Sequence, residues 1–426
     1  MKNTVVISIV IMLVVFLLSF SFLFNKRNVE KYTINIWTVD LKYRFDKYME
    51  YIIDKFEKNT HNVIVKWNDY PEDKIISKLY EAWHQNTLPD IISLNTNNLI
   101  NKLNEELILD LNGFNTNFSD IFFEGILNSN IKNNKLLGIP WYTTIDVLYV
   151  NKDIMKSSNI LEDVYPKVEE EFLNLLRNIK EESKKYGSVF APETIRDLVF
   201  NGFNILNENG NVFINTKEVI DYFKKKQIQF EHLIVPKKFL NFDDKLYLYS
   251  NGEVGMIKAN VKFIDNMEKI SKEIYNGTSI LPIPLGKNGE RYSNTMSLSI
   301  LKASKNYNIA MDFINFLVDE SNQRELINNF NVLPVNKNID VDNIFLHDNS
   351  KKAQAKIVAF KSLEKSRDFI FNIKNYDEID NIIGKYSRSI YLEGKDVEKM
   401  INEAQDSINH FTKEIGDNGY EFKEHN

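Results

Sequence analysis

From Tyr32 onward the chain switches between two hydrophobic periods. Ile34-Asn35-Ile36-Trp37 reads as a strand, and Phe45, Tyr48, Met49, Ile52, Ile53 and Phe56 then fall on one stripe at helical spacing over 44–57. Val63-Ile64-Val65 is a second strand. Residues 72–86 repeat the helical spacing through Ile75, Ile76, Leu79, Tyr80 and Trp83, and Asp90–Leu94 gives a third strand. The order β-α-β-α-β predicts an α/β lobe on a mostly parallel sheet. Ligands meet such sheets at the loops that follow the strands. Here those loops are Thr38-Val39-Asp40, Asn68-Asp69-Tyr70 and Asn95-Thr96-Asn97, all polar, with Trp37 and Tyr70 at the strand ends. Polarity is usual in such loops, so it nominates Trp37, Asp40, Asp69, Tyr70 and Asn95 without selecting among them.

The stretch 138–153, GIPWYTTIDVLYVNKD, breaks this rhythm. Gly138 and Pro140 punctuate its entry and Trp141-Tyr142 follow. Ile145 to Val150 is rich in β-branched and aromatic residues, and Asn151 or Asp153 can cap a helix starting near Ile154. It reads as a strand leaving one lobe for another. Beyond it, helices are predicted over 168–185, 193–206 and 217–230, and Asn251-Gly252 ends a helix before the strand Glu253–Ile257. Leu281–Gly286 is a proline-stiffened strand exit, and Ser297–Leu301 is a returning strand. Ser304 is placed to cap a helix through Ala310, Met311, Ile314 and Leu317. Phe330–Val335 is a third punctuated segment, and from Lys351 the chain reads as helical to its end. No repeat or low-complexity linker separates these parts, so two lobes joined by several crossings are expected.

Length agrees: 426 residues exceed the roughly 250–300 at which one core stops growing. Residues 1–27 stand apart, with an apolar run from Val5 to Phe24 closed by Asn25-Lys26-Arg27. About 20 apolar residues can span a bilayer, so this segment reads as a signal peptide or a membrane anchor. The chain has no cysteine, which removes disulfides, thiolate catalysis and a lipidated cysteine tether. Residues 1–27 hold three of the 53 basic residues and no acidic one, so residues 28–426 carry 50 against 59, a net of −9. That balance argues against nucleic acid as a partner.

Enzyme chemistry finds little support. Six histidines are dispersed, no H-E-x-x-H, Gly-rich phosphate loop or G-x-S-x-G occurs, and no pair of carboxylates is singled out for glycoside hydrolysis. Neither a cofactor nor a metal is expected. Glu169-Glu170-Glu171 reads as the acidic first turn of a helix.

Five segments, in order, resemble the extracellular solute-binding proteins of bacterial ABC importers, family 1, the sugar-type members. "INIWT" is similar to the family's first strand, "EAWHQNTLPDIISLN" to its A-x-x-S-G-x-x-P-D-V segment, and "GIPWYTTIDVLYVNKDIM" to its first inter-lobe crossing. "NGEVGMIKAN" resembles its G-x-A-A-M strand, and the run from Asn294 to Asn338 its helix and G-x-L-P turn. The chain departs from that pattern at Asn331-Val332, before the Leu-Pro, and at Ser293-Asn294-Thr295, where glycines are common.

The resemblance implies an α/β, two-lobed periplasmic-binding-protein-like (type II) fold preceded by an N-terminal hydrophobic signal or anchor. Its divisions would be 1–27 as signal or anchor, 32–140 with 290–333 as one lobe, and 141–289 with 334–426 as the other. It implies an exported monomer at the extracytoplasmic face of the membrane, held there by its N-terminus or released by cleavage. Such a protein captures a mono- or oligosaccharide by lobe closure about 138–146, 284–296 and 331–336, and hands it to ABC permease subunits. Trp37, Tyr70, Trp141 and Tyr142 are the stacking candidates, with Trp141 foremost. Asp40, Asp69, Asn95, Asp146, Lys258, Asn260, Arg291 and Asn294 are the polar candidates. A sensor domain for a membrane kinase, a binder of a non-sugar solute, and a hydrolase or adhesin with an aromatic cleft are the alternatives.

Overall fold

In the computed structural model, residues 31–114, 117–161, 165–207, 210–370, 373 and 375–414 are described. The predicted signal or anchor lies outside them, and among the described residues no helix is long and apolar enough to cross a membrane.

Two sheets organise the chain. The larger contains β1 (Tyr32–Val39), β2 (Val63–Tyr70), β3 (Ile91–Asn95), β6 (Ile139–Thr144), β10 (Arg291–Ile300), β11 (Leu333–Pro334) and β12 (Ser366–Asp368), in the order β11-β6-β10-β3-β1-β2 with β12 also on β10. A small hairpin, β4 (Ile131–Lys132) with β5 (Lys135–Leu136), stands apart. The smaller sheet is antiparallel, β8 (Met256–Ala259), β7 (Val147–Asn151) and β9 (Thr278–Pro282), with β7 in the middle. Strands β1, β2 and β3 are parallel, so their carboxyl ends share one edge.

Each sheet sits under its own helices. Phe45, Tyr48, Met49, Ile52 and Phe56 of the helix Lys42–Asn59 are buried with Ile34 and Ile36 of β1, as the periodicity predicts. In the second lobe Phe172, Leu175, Leu176 and Ile179 of the helix Glu169–Ser183 pack with Leu148 and Val150 of β7. The C-terminal helices Tyr376–Glu393 and Val397–Glu414 join that same core through Ile383, Ile390, Ile401 and Ile408.

The crossing segment differs from expectation. Residues 138–153 form two strands in different sheets, with β6 wholly in the larger one, so the chain changes lobes at Ile145-Asp146 and not after residue 140. Asn151 caps the following helix, accepting from the amides of Asp153 and Ile154. Ser304 does not cap the helix Tyr307–Val318. Its hydroxyl donates to Asp90 and its oxygen accepts from Asn306 N at 3.2 Å. A further difference lies near the C-terminus, where the expected all-helical run is interrupted. Between the helices Lys351–Ser362 and Tyr376–Glu393 the chain returns to the larger sheet, and β12 runs parallel to β10 with Arg291, Tyr292 and Ser293 opposite Ser366, Arg367 and Asp368.

Candidate functional site

The shared edge of β1, β2 and β3 faces the second lobe, and there a cavity of about 370 Å³ opens between the two. The larger sheet supplies Asn95, Ser293, Asn294 and Asp368, and the helix Thr96–Lys102 that follows β3 adds Asn97. The second lobe supplies Thr194, Arg196 and Asp197 from the start of the helix Ile195–Phe200, and Tyr376 and Asp380 from the helix Tyr376–Glu393. A larger hollow, about 730 Å³ against Tyr43, Tyr48 and Phe330, receives groups from the first lobe alone.

Hydrogen bonding fixes most of the cavity's walls. Asn95 ends β3 and caps the helix Thr96–Lys102, its Oδ1 accepting from Asn97 N at 3.0 Å, while its Nδ2 donates to Asn294 Oδ1. Opposite, Thr194 and Asp197 form a capping box, with Thr194 N donating to Asp197 Oδ2 at 3.0 Å and Asp197 N to Thr194 Oγ1 at 3.1 Å. Asp380 accepts the next amide, Ile195 N, at 2.6 Å. At the floor Asp368 is 4 % exposed, and its Oδ1 accepts from Ser293 Oγ at 2.7 Å and Thr295 Oγ1 at 2.8 Å. Its Oδ2 is closed off from solvent, and the Thr96 hydroxyl and Thr295 amide lie close enough to favour the charged form.

The electrostatics follow from burial. Desolvation pushes the Asp380 carboxyl up to about 6, against the Ile195 amide that favours its charge, and neighbouring Asp197 adds to the rise. Asp368 is also raised by burial, partly offset by the Ser293 and Thr295 hydroxyls. Arg196 is exposed and makes no hydrogen bond or ion pair with a described residue, yet its charge reaches Asp380, Tyr376 and Asp146. Asp146, half-buried at the lobe crossing, is raised by desolvation, with Arg196, Lys245 and Lys258 pulling the other way.

Of the residues nominated from sequence, Asn95 and Asn294 line this cavity and are bonded to each other. Asp146 is not among the lining residues and is linked to the cavity only through the charge of Arg196. Trp37 and Tyr70 lie at the same sheet edge, with ring centroids 4.7 Å apart, but Trp37 is buried over Ile75 and Leu79. Asp69 is bound to the start of the helix Lys42–Asn59, accepting from Leu41 N at 3.1 Å and Lys42 N at 2.9 Å. Asp40 turns the chain at φ 49° and accepts from Glu72 N at 3.2 Å.

The remaining candidates are engaged inside one lobe. Trp141 is 0 % exposed within the core of the larger sheet, because β6 continues there past residue 140. Tyr142 stacks on Phe45 at 5.6 Å in the same core. Lys258 pairs with Glu169 at 2.7 Å, Asn260 caps the helix Val261–Ile270, and Arg291 donates to the Ile283 carbonyl at 2.7 Å.

Asn97, Thr194, Arg196, Asp197, Asp368, Tyr376 and Asp380 were not nominated. The one local signal available was the Thr194-x-x-Asp197 capping box, which marks a helix start and not a ligand.

A polar cavity walled by both halves of a two-lobed α/β molecule, at the strand ends of the larger sheet, defines a ligand-binding protein of the periplasmic-binding-protein type. Comparison with known proteins gives the family. The profile of the bacterial extracellular solute-binding proteins matches residues 51–355, and the chain belongs to that family. It is 23% identical over 318 residues to the galactooligosaccharide-binding protein of Bacillus subtilis, covering 70% of this chain and 72% of that one. Among solved structures it resembles an ABC substrate-binding protein from Listeria monocytogenes in complex with cycloalternan, at TM-score 0.68 and 16% identity, over 90% of this chain and 100% of that one. It also resembles a family 1 extracellular solute-binding protein from Alicyclobacillus acidocaldarius, at TM-score 0.72 and 15% identity, over 90% and 98% of the two chains.

Proposed function

We propose that this protein captures a carbohydrate in the cavity between its lobes and delivers it to the permease of an ABC importer at the outer face of the membrane. The observation that carries the reading is the mixed wall of that cavity, where Asn95 and Asn294 of one lobe face Arg196 and Asp380 of the other. Planar amides and a guanidinium suit the paired donor and acceptor character of sugar hydroxyls, and Tyr376 offers a ring face. The named ligands of the similar proteins, galactooligosaccharide and cycloalternan, support the same class. Binding is reversible and involves no covalent step. Residues 1–27 direct export and hold the monomer at the membrane unless they are cleaved.

Calorimetry on the purified full chain with malto-, isomalto-, cello- and galacto-oligosaccharides tests this. A sugar at 100 times its Kd stabilises the protein by about 2.7 kcal/mol, an easily read rise in Tm. Asn294→Ala is expected to weaken that sugar at least tenfold while changing stability by under about 1 kcal/mol. If no sugar raised Tm and an amino acid or polyamine did, the carbohydrate reading would fall.

A further inference from the structure

The pole of the first lobe farthest from the cavity carries chemistry of its own. Strands β1, β2 and β3 are parallel, so their amino ends meet at one pole while the cavity lies at the other. At about 3.3 Å per residue, the eight residues of β1 separate the two poles by roughly 25 Å. At the amino pole Tyr32 is 50 % exposed, and its amide donates to the Asn62 carbonyl at 2.8 Å. The loop after β10 comes alongside, where Asn306 Nδ2 donates to the Thr33 carbonyl at 3.0 Å. That loop presents Lys302 and Lys305, both exposed, and then Tyr307, 46 % exposed, whose ring centroid lies 6.4 Å from that of Phe114.

Charge at this pole runs against the rest of the chain. Residues 28–426 carry 50 basic against 59 acidic residues, yet Lys31, Lys302 and Lys305 are exposed and none is ion-paired with a described residue. The carboxylates beside them are already engaged. Asp90 accepts from Asn35 N at 2.7 Å and from the Ser304 hydroxyl, Glu57 accepts from Val65 N at 2.7 Å, and Asp54 pairs with Lys58. Glu106, on the turn whose Leu107 carbonyl accepts from Lys302 N, is exposed and offsets one of the three lysines. Tyrosine rings set among free ammonium groups suit the headgroup layer of an anionic bilayer, which takes the rings at its interface and pairs the lysines with phosphates.

The route of the chain favours that partner over a soluble one. Between the apolar run Val5–Phe24 and β1 stand only seven residues, Asn25 to Lys31. Seven residues reach at most about 25 Å, so an anchor formed by that run keeps the amino pole close to the bilayer. A tether this short gives an effective concentration in the millimolar range, at which weak contacts suffice.

We propose that the amino pole of the first lobe rests on anionic lipid through Tyr32, Lys302, Lys305 and Tyr307, which turns the cavity away from the membrane and toward arriving solute. This rests on the anchor reading above. Delivery to the permease then begins with release from the lipid.

The test uses the full chain in vesicles of brominated phosphatidylcholine, with and without phosphatidylglycerol. Because the chain has no cysteine, a single fluorophore can be placed by His61→Cys, beside Asn62 at the amino pole, or by Asp73→Cys, beyond the carboxyl end of β2. With phosphatidylglycerol present, bromine is expected to quench the label at 61 severalfold more than the label at 73. High salt, or Lys302→Gln with Lys305→Gln, should remove most of that difference. Flotation of the vesicles in high salt reads the anchor separately, since insertion of an apolar segment does not depend on surface charge. A chain that floats overturns the resting face, and leaves the anchor standing, if both labels are quenched equally or if the double variant changes nothing. Excimers between pyrene labels at 61 would put a second copy on this face and overturn it as well. A chain that fails to float removes both.

Discussion

Replacing Lys226 by methionine would strand a charge beside the cavity. Glu193 is 2 % exposed and is met by three donors: Lys226 Nζ at 3.3 Å, the Tyr222 hydroxyl at 2.7 Å and the Tyr391 hydroxyl at 3.2 Å. Burial raises the Glu193 carboxyl, while Lys226 and Tyr222 oppose the rise. For Lys226, burial favours loss of the proton, but Glu193, Glu169 and Asp197 together overcome it and hold the ammonium above its ordinary range. Methionine keeps the apolar stem over Phe190, so the change is mainly one of charge. Removing one partner of a buried pair costs about 3–5 kcal/mol. Two tyrosine hydroxyls remain on Glu193, which brings the expected loss to or below the bottom of that range, about 2–3 kcal/mol.

The pH dependence gives this loss a signature. Without Lys226 the folded-state pKa of Glu193 lies above its unfolded value, so the folded protein takes up the proton more readily. The loss is therefore full above the raised folded pKa and shrinks as pH falls through it. Urea unfolding followed by far-UV circular dichroism, near neutral pH and again near pH 5, measures both on wild type, Lys226→Met, Glu193→Gln and the double variant. The double variant is expected to recover most of the stability, since neither member is left charged and alone. Pro192 and Thr194 line the cavity on either side of Glu193, so Lys226→Met also weakens ligand binding. A loss under about 0.5 kcal/mol near neutral pH, or one that grows on acidification, would refute this account.

Three other outcomes are expected. Trp141→Ala removes a fully buried side chain and costs about 3–5 kcal/mol, whereas Trp141→Phe keeps the fold and leaves ligand affinity unchanged. A tenfold affinity loss in the phenylalanine variant would return Trp141 to the site. Lys356, 2 % exposed and donating to the Ile327 carbonyl, is lowered by burial to about 8, so stability should rise as pH climbs from there toward the ordinary lysine value of 10.5. Comparing denaturation of wild type and Lys356→Met across that window checks the sign, because the methionine variant must lose part of the slope. The exposed pair Lys102–Asp377, 2.7 Å, joins the two lobes, and Asp377→Ala should cost under about 1 kcal/mol yet enlarge the ligand-free radius of gyration by small-angle scattering. An unchanged radius would mean that the pair does not bias the lobes.

The hydrophobic pattern gave away the framework and hid most of the site. β1, β2 and the helices Lys42–Asn59 and Glu169–Ser183 were legible because one face of each is apolar and buried, and β3 because it is a short apolar run buried on both faces. Ser366-Arg367-Asp368 offered no such face. Its two buried side chains are polar, Asp368 accepting from the hydroxyls of distant Ser293 and Thr295 and Ser366 donating to the Ser362 carbonyl, so no hydrophobic period records them. The helix predicted over 193–206 spans only Ile195–Phe200, and its apolar spacing says nothing of what the polar Arg196 and Asp197 face. Asn95 was found because the end of β3 can be read from sequence, whereas Asn294, inside β10, was nominated only from the resemblance. Trp141 was misplaced because one crossing strand with the lobe boundary at residue 140 puts at that boundary a ring that β6, running to Thr144, keeps in the core.

The return of β12 to the larger sheet sets the lever arms of any lobe rotation. The wall bearing Tyr376 and Asp380 is tethered a few residues beyond Asp368, which is itself stitched to β10. A rotation pivoting on this connection would carry that corner through a short arc, and parts of the cavity wall farther from it through a longer one. A solute can thus be gripped first at an almost stationary corner and enclosed afterwards by the distant lip. Spin labels at residues 97 and 194 should report a large distance change on ligand addition, and labels at 294 and 376 a small one. The reverse ranking would place the pivot elsewhere.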